Sequence, residues 1–116
     1  MKELNLPHQE PIKFAKYIIS SDDKQVTVRI SFDTLPSLAM LVEAVAQSSA
    51  AFDEGSSKMG YLVALKNIEL IQKPSSLEYD AQLKSSHKID QLNYFEFDIL
   101  DKEVLIAKGE FIIALN

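Results

Sequence analysis

From residue 25 to residue 32 the chain alternates, with Val26, Val28, Ile30 and Phe32 on one side of the pleat and Gln25, Thr27, Arg29 and Ser31 on the other. That is the pattern of a strand with one buried face. Residues 13–20 are aromatic and β-branched, which predicts a strand before it, and Ser21-Asp22-Asp23-Lys24 reads as the turn joining the two. The period then changes. Of the 15 residues 38–52, 11 are apolar, and Glu43 is the only charge between Asp33 and Asp53. A helix apolar around most of its circumference is covered by protein on most sides. Asp33 and Thr34 supply capping side chains, Pro36 suits the first turn, and Gly55 is placed to end the helix near Asp53.

Past Gly60 no helical period returns. Residues 61–71, 76–85, 92–100 and 104–115 predict four strands, separated by Lys73-Pro74-Ser75-Ser76, by 85–90 and by Asp101-Lys102-Glu103. Separations this short favour antiparallel neighbours. The order is two strands, a buried helix and four strands, after an irregular opening punctuated by Pro7 and Pro11. It predicts an α+β fold with one long central helix wrapped by a curved antiparallel sheet, a single domain over residues 1–116. Long sheet edges are usually covered or paired, and Tyr61, Leu62, Val63, Ala64 and Leu65 make an apolar strand directly after the helix, so pairing across a two-fold axis into at least a dimer is expected.

Composition removes several classes of function. The net charge of −5 comes without a basic cluster, leaving no electrostatic footprint for nucleic acid. There is no cysteine, hence no disulfide, thiolate metal site or thiol nucleophile, and the two histidines, His8 and His87, are far apart; no metal and no cofactor are expected. Residues 1–10 have no apolar core of a signal peptide, and the apolar stretch 33–53 is interrupted by Glu43, Gln47, Ser48 and Ser49 and flanked by acids. The expectation is a cytoplasmic protein that does not span a membrane.

The residues 41–47, Leu-Val-Glu-Ala-Val-Ala-Gln, resemble the LxEAMAQ helix segment of the hotdog-fold β-hydroxyacyl-acyl-carrier-protein dehydratases. The opening Leu6-Pro7-His8-Gln9-Glu10-Pro11 is similar to their LPHRxP, and residues 68–74 are similar to their strand ending in a Lys/Arg-x-Pro pair. With the matching order of elements the resemblance covers nearly the whole chain and implies a hotdog fold. One departure decides the chemistry. Those dehydratases hold their catalytic His in a GHFPGxPIxPG-type stretch just before the helix, whereas residues 32–37 here, Phe-Asp-Thr-Leu-Pro-Ser, contain neither His nor Gly. Pro36 is also one residue further from Glu43 than the family's corresponding Pro is from its Glu. His8 matches the family's non-catalytic opening histidine.

The resemblance therefore carries over Glu43 and Gln47 but not the dehydration mechanism. Desolvation disfavours the charged form of a carboxylate, which suits one among apolar neighbours to general acid or base work. The competing reading of Glu43 is an ordinary surface glutamate on a stripe with Ala39, Ala46 and Ala50. Gln47, one turn later on the same face, either orients Glu43, donates to a carbonyl oxygen or bonds across a dimer seam. Ser48 and Ser49 read as small packing residues, having no histidine to activate them. Asp33 and Thr34 are read as helix caps; the competing reading is that Asp33 assists water activation, since some hotdog thioesterases resemble this arrangement with an acid ahead of the helix. His87 falls in an expected turn, exposed to solvent.

Dehydration needs two positioned acid–base groups; hydrolysis needs one base to activate water and a site for the oxyanion. The reading is a thioesterase acting on acyl-CoA or acyl-carrier-protein (acyl-ACP) thioesters, with Glu43 as general base and Gln47, Asp33 and Thr34 supporting. The alternatives are a dehydratase-like enzyme with an altered site, or a non-catalytic acyl-binding hotdog module.

Overall fold

The computed structural model describes residues 2–3, 13–53 and 60–115; the expectations for His8 and Gly55 lie outside them. In chain order the elements are β1 (Lys2–Glu3), β2 (Ala15–Ser21), β3 (Gln25–Ser31), α1 (Leu38–Ser48) continued by a 3-10 turn (Ser49–Asp53), β4 (Gly60–Leu70), β5 (Glu78–Ile89), β6 (Leu92–Asp101) and β7 (Val104–Leu115). The strands form one seven-stranded antiparallel sheet in the order β1-β2-β3-β5-β6-β7-β4.

The alternation that predicts β3 decides which face of the sheet is covered. Val26, Val28 and Ile30 are buried, and the antiparallel register aligns them with Leu83, Ala81 and Tyr79 of β5. Leu83 and Ala81 in turn face Phe97 and Ile99 of β6, which face Gly109 and Ala107 of β7. Strand pairing thus continues one apolar surface across four strands. α1 lays Leu41, Ala44, Val45 and Ser48 against it, packing on β2, β3 and β5. Gly109 is a close approach: a Cβ there would meet Ile68 Cδ1 at 2.5 Å and the Phe97 ring at 3.0 Å.

Six sequence expectations need correction. The helix is capped by Ser37, whose Oγ accepts from Met40 N–H at 3.2 Å; Asp33 and Thr34 lie upstream and exposed. Pro36 is buried ahead of this cap instead of sitting in the first turn, because a cap one residue later still satisfies an N–H that would otherwise be orphaned. The regular helix ends at Ser48 and only a 3-10 turn reaches Asp53. β5 runs on through Ser86, His87 and Lys88 to Ile89, with a bulge between Ser85 and His87, so His87 is a strand residue whose ring stacks on Tyr94 at 4.1 Å. Finally, β4 and β5 are not neighbours: β4 pairs with β7, while β5 closes the open edge of β3, where its apolar side continues the β3 face. β1, an added pairing on β2, falls in the segment read as irregular.

Two hairpins show opposite turn chemistry. Asp22 Oδ1 accepts from the N–H groups of Lys24 (2.8 Å) and Gln25 (2.9 Å). The Lys24 N–H first, then that of Gln25, holds the Asp22 carboxyl below the usual carboxylate range, so its contribution to the turn is present above that range and is lost as pH falls through the lowered value. The β6–β7 turn instead places Lys102 and Glu103 at φ 49° and 74°, the left-handed region that a side chain disfavours. Replacing them with the preferred pair, Lys102→Asn with Glu103→Gly, is expected to stabilise the fold by about 1 kcal/mol. Thermal unfolding would register this as a rise of a few degrees; an unchanged or lower midpoint would contradict it.

Candidate functional site

The site grows out of the helix face that the sheet does not take. Glu43 and Ala39 are exposed and Ala46 and Ala50 half-buried, so the only carboxylate of α1 emerges from a surface of small side chains. The described residues leave Glu43 exposed, so they do not supply the desolvation expected around it.

Gln47 is the opposite case, a polar side chain only 3% exposed. Its Oε1 accepts two backbone hydrogen bonds, from Phe14 N–H at 2.8 Å and Ala15 N–H at 3.1 Å, and its Nε2 donates to Glu43 Oε1 at 3.4 Å. Phe14 is tied to β3 as well, its carbonyl accepting from Ser31 N–H at 2.9 Å. Gln47 therefore ties the helix to the start of β2 and hydrogen-bonds Glu43, all within one chain. A helical residue gripping an unpaired strand N–H has no local signature, so the anchoring partner was not legible from spacing; only the shared face with Glu43 was.

Of the residues picked out in the sequence, the structure brings Glu43 and Gln47 together. Among the described residues no hydrogen bond ties Asp33 or Thr34 to either of them. Both sit in the passage 32–37, held by Phe32 N–H donating to Leu77 O at 2.9 Å and by buried Pro36. Ser48 and Ser49 commit their hydroxyls to helix carbonyls, Oγ donating to Ala44 O at 2.7 Å and to Ala46 O at 2.6 Å. They are packing groups. His87 shares the outer face of the sheet with Tyr94, since both alternate with residues of the covered side.

A second feature lies on the same helix side. β4 is the last strand of the sheet order, and its Leu62, Leu65 and Leu70 align with Ile113, Phe111 and Ala107, whose side chains face the core. α1 packs on the other end of the sheet, and these three leucines stay 39%, 46% and 41% exposed. Tyr61 and Val63 are exposed on the same strand. The outer face differs: a concavity of about 500 Å³ there is lined by Gln82, Lys84, Glu96, Asp98, Lys108 and Glu110 among others. Lys84 lies opposite Glu96, Asp98 opposite Lys108, and Asn67 Nδ2 donates to Glu110 Oε2 at 2.6 Å, so this face mixes charges of both signs. Among the described residues no cluster of three or more His, Asp or Glu side chains is placed to hold a metal ion, and no helix is long and apolar enough to cross a membrane.

No profile of a known protein family matches the chain, and no curated protein matches it by sequence. Solved structures do. The dehydratase heterocomplex ApeI:P from Xenorhabdus doucetiae aligns over 96% of this chain and 88% of its own, at TM-score 0.69 and 14% identity. A mutant thioesterase from Pseudomonas aeruginosa covers 84% of this chain and 78% of its own, at TM-score 0.70 and 12% identity. A hypothetical thioesterase from Streptococcus pneumoniae, solved with coenzyme A, covers 86% and 84%, at TM-score 0.65 and 14% identity. These structures are hotdog proteins, and the fold of this chain is the hotdog fold.

Proposed function

We propose that the protein processes acyl thioesters, as a thioesterase hydrolysing acyl-CoA or acyl-ACP with Glu43 as general base. The observation that carries this reading is the placing of one hydrogen-bonded carboxylate on a face of alanines, on the helix side of a sheet whose edge leaves three leucines uncovered. In a homodimer joined along β4, with the helix central to a curved continuous sheet, those leucines form an apolar wall for an acyl chain and supply the desolvation that Glu43 lacks in the single chain. The dimer need not be the largest assembly. The likeness to a thioesterase solved with coenzyme A supports the choice of carrier. A cytoplasmic setting agrees with such substrates, and residues 1–116 act as one domain.

The chemistry requires one base. A water gives a proton to Glu43 while its oxygen bonds to the thioester carbonyl carbon. The tetrahedral intermediate then collapses, the C–S bond breaks, and the leaving thiolate takes the proton back from Glu43. The products are a carboxylic acid and a thiol, with Glu43 regenerated. Asp33 and Thr34 lie in the passage leading into α1, close in sequence to Ser37, which caps the helix start, and support substrate there.

A second reading, a dehydratase, is favoured by the match to a dehydratase heterocomplex; with no histidine in residues 32–37, its base would come from another chain. One experiment separates them. Thioester hydrolysis is followed with a thiol reagent, beside hydration of a crotonyl thioester. Thiol release without hydration is expected. Hydration at rates normal for dehydratases would overturn the choice, and acyl binding with neither activity would make the protein a binding module.

A further inference from the structure

The direction of the Gln47 amide is imposed by β2. The N–H groups of Phe14 and Ala15, at 2.8 and 3.1 Å, can only donate, so the oxygen of Gln47 must face them. The amide is planar, and its nitrogen is thereby turned to Glu43 Oε1, at 3.4 Å. That nitrogen can only donate, and a donor is matched by the ionised carboxylate better than by the protonated acid. We infer that Gln47 is a positioning residue that sets Glu43 as a proton acceptor, by way of an amide that the backbone of β2 locks in one orientation.

The inference rests on reading Glu43 as the base and gives that reading a direction: Glu43 begins the cycle ready to take a proton, as hydrolysis requires, and not ready to give one. Other charges flank the anchor. Lys13 Nζ pairs with Glu3 Oε1 at 3.2 Å, and Lys16 is half-buried on β2. No other residue of α1 is charged. These groups are unchanged in the test below.

The test is Gln47→Glu in the full chain. The new carboxylate keeps an acceptor for Phe14 and Ala15 N–H but presents an oxygen to Glu43 where a donor stood. Carboxyl carbon NMR is expected to show the Glu43 titration midpoint moving up by about one pH unit or more, with the acid limb of kcat/KM for thioester hydrolysis moving by the same amount. A role confined to holding β2 would leave both where they are in the wild type, and that result overturns the inference. If Gln47→Glu does not fold, the wild type alone decides. The Gln47 side-chain amide protons follow the Glu43 titration if the bond exists, and their indifference to it refutes the proposal. A moved titration in a protein that hydrolyses no thioester supports the positioning role while refuting the thioesterase reading.

Discussion

Glu43→Gln is expected to lower thioester hydrolysis by about 10²–10⁴-fold, the range associated with losing one positioned acid–base group. The fold should be untouched. Glu43 is exposed on α1, and a glutamine there still offers an oxygen to the Gln47 amide at the position now occupied by Oε1, 3.4 Å away. Steady-state kinetics beside a thermal melt checks both halves. An unchanged midpoint with lost activity identifies the carboxylate as chemistry, whereas wild-type rates would move the base elsewhere, with Asp33 next in line.

The second large effect concerns assembly. β4 is an edge strand of the sheet, with Leu62 and Leu65 exposed on the helix side and Val63 also exposed. Edges of this kind invite another strand. A two-fold pairing repeats every change twice, so Leu62→Asp with Leu65→Asp puts four carboxylates into one seam. Each buried, unpaired charge costs a few kcal/mol, and every ~1.4 kcal/mol is tenfold in affinity, so association should weaken by at least about 10³-fold. The wild type should sediment as a dimer or larger at micromolar concentration and the double variant near 13.0 kDa. Both leucines are exposed in the single chain, so the variant should stay folded. A folded wild-type monomer of full activity would refute a shared site.

The strands legible in the sequence were those whose two faces differ in environment. β3 alternates because one side meets α1 and the other meets solvent, whereas β7 was bounded correctly, Val104–Leu115, by the Asp101-Lys102-Glu103 break. The helix was legible from composition alone. Its cap was not, because Asp33, Thr34 and Ser37 are all competent capping residues and local sequence does not choose among them; the burial of Pro36 does. The end of β5 was hidden by polar residues: Ser85, Ser86 and His87 read as a turn, yet a bulge and the stacking of His87 on Tyr94 continue the strand. Strand order was hidden as well, since a short break between β4 and β5 implies a hairpin unless a better edge is open elsewhere. At the site, Glu43 stood out as a lone charge. The grip of Gln47 on Phe14 and Ala15 joins residues more than thirty positions apart, and no pattern along the chain encodes such a contact.

The central claim is that Glu43 acts on an acyl thioester, and the direct measurement is a crystal structure of the assembled protein with a non-hydrolysable acyl-CoA analogue. The account expects the carbonyl carbon beside Glu43, with a water within about 2.6–3.2 Å of the carboxylate and in line to attack, and the acyl chain along Leu62, Leu65 and Leu70. A ligand bound on the outer face of the sheet, or one whose carbonyl neither Glu43 nor a water held by it can reach, would contradict it.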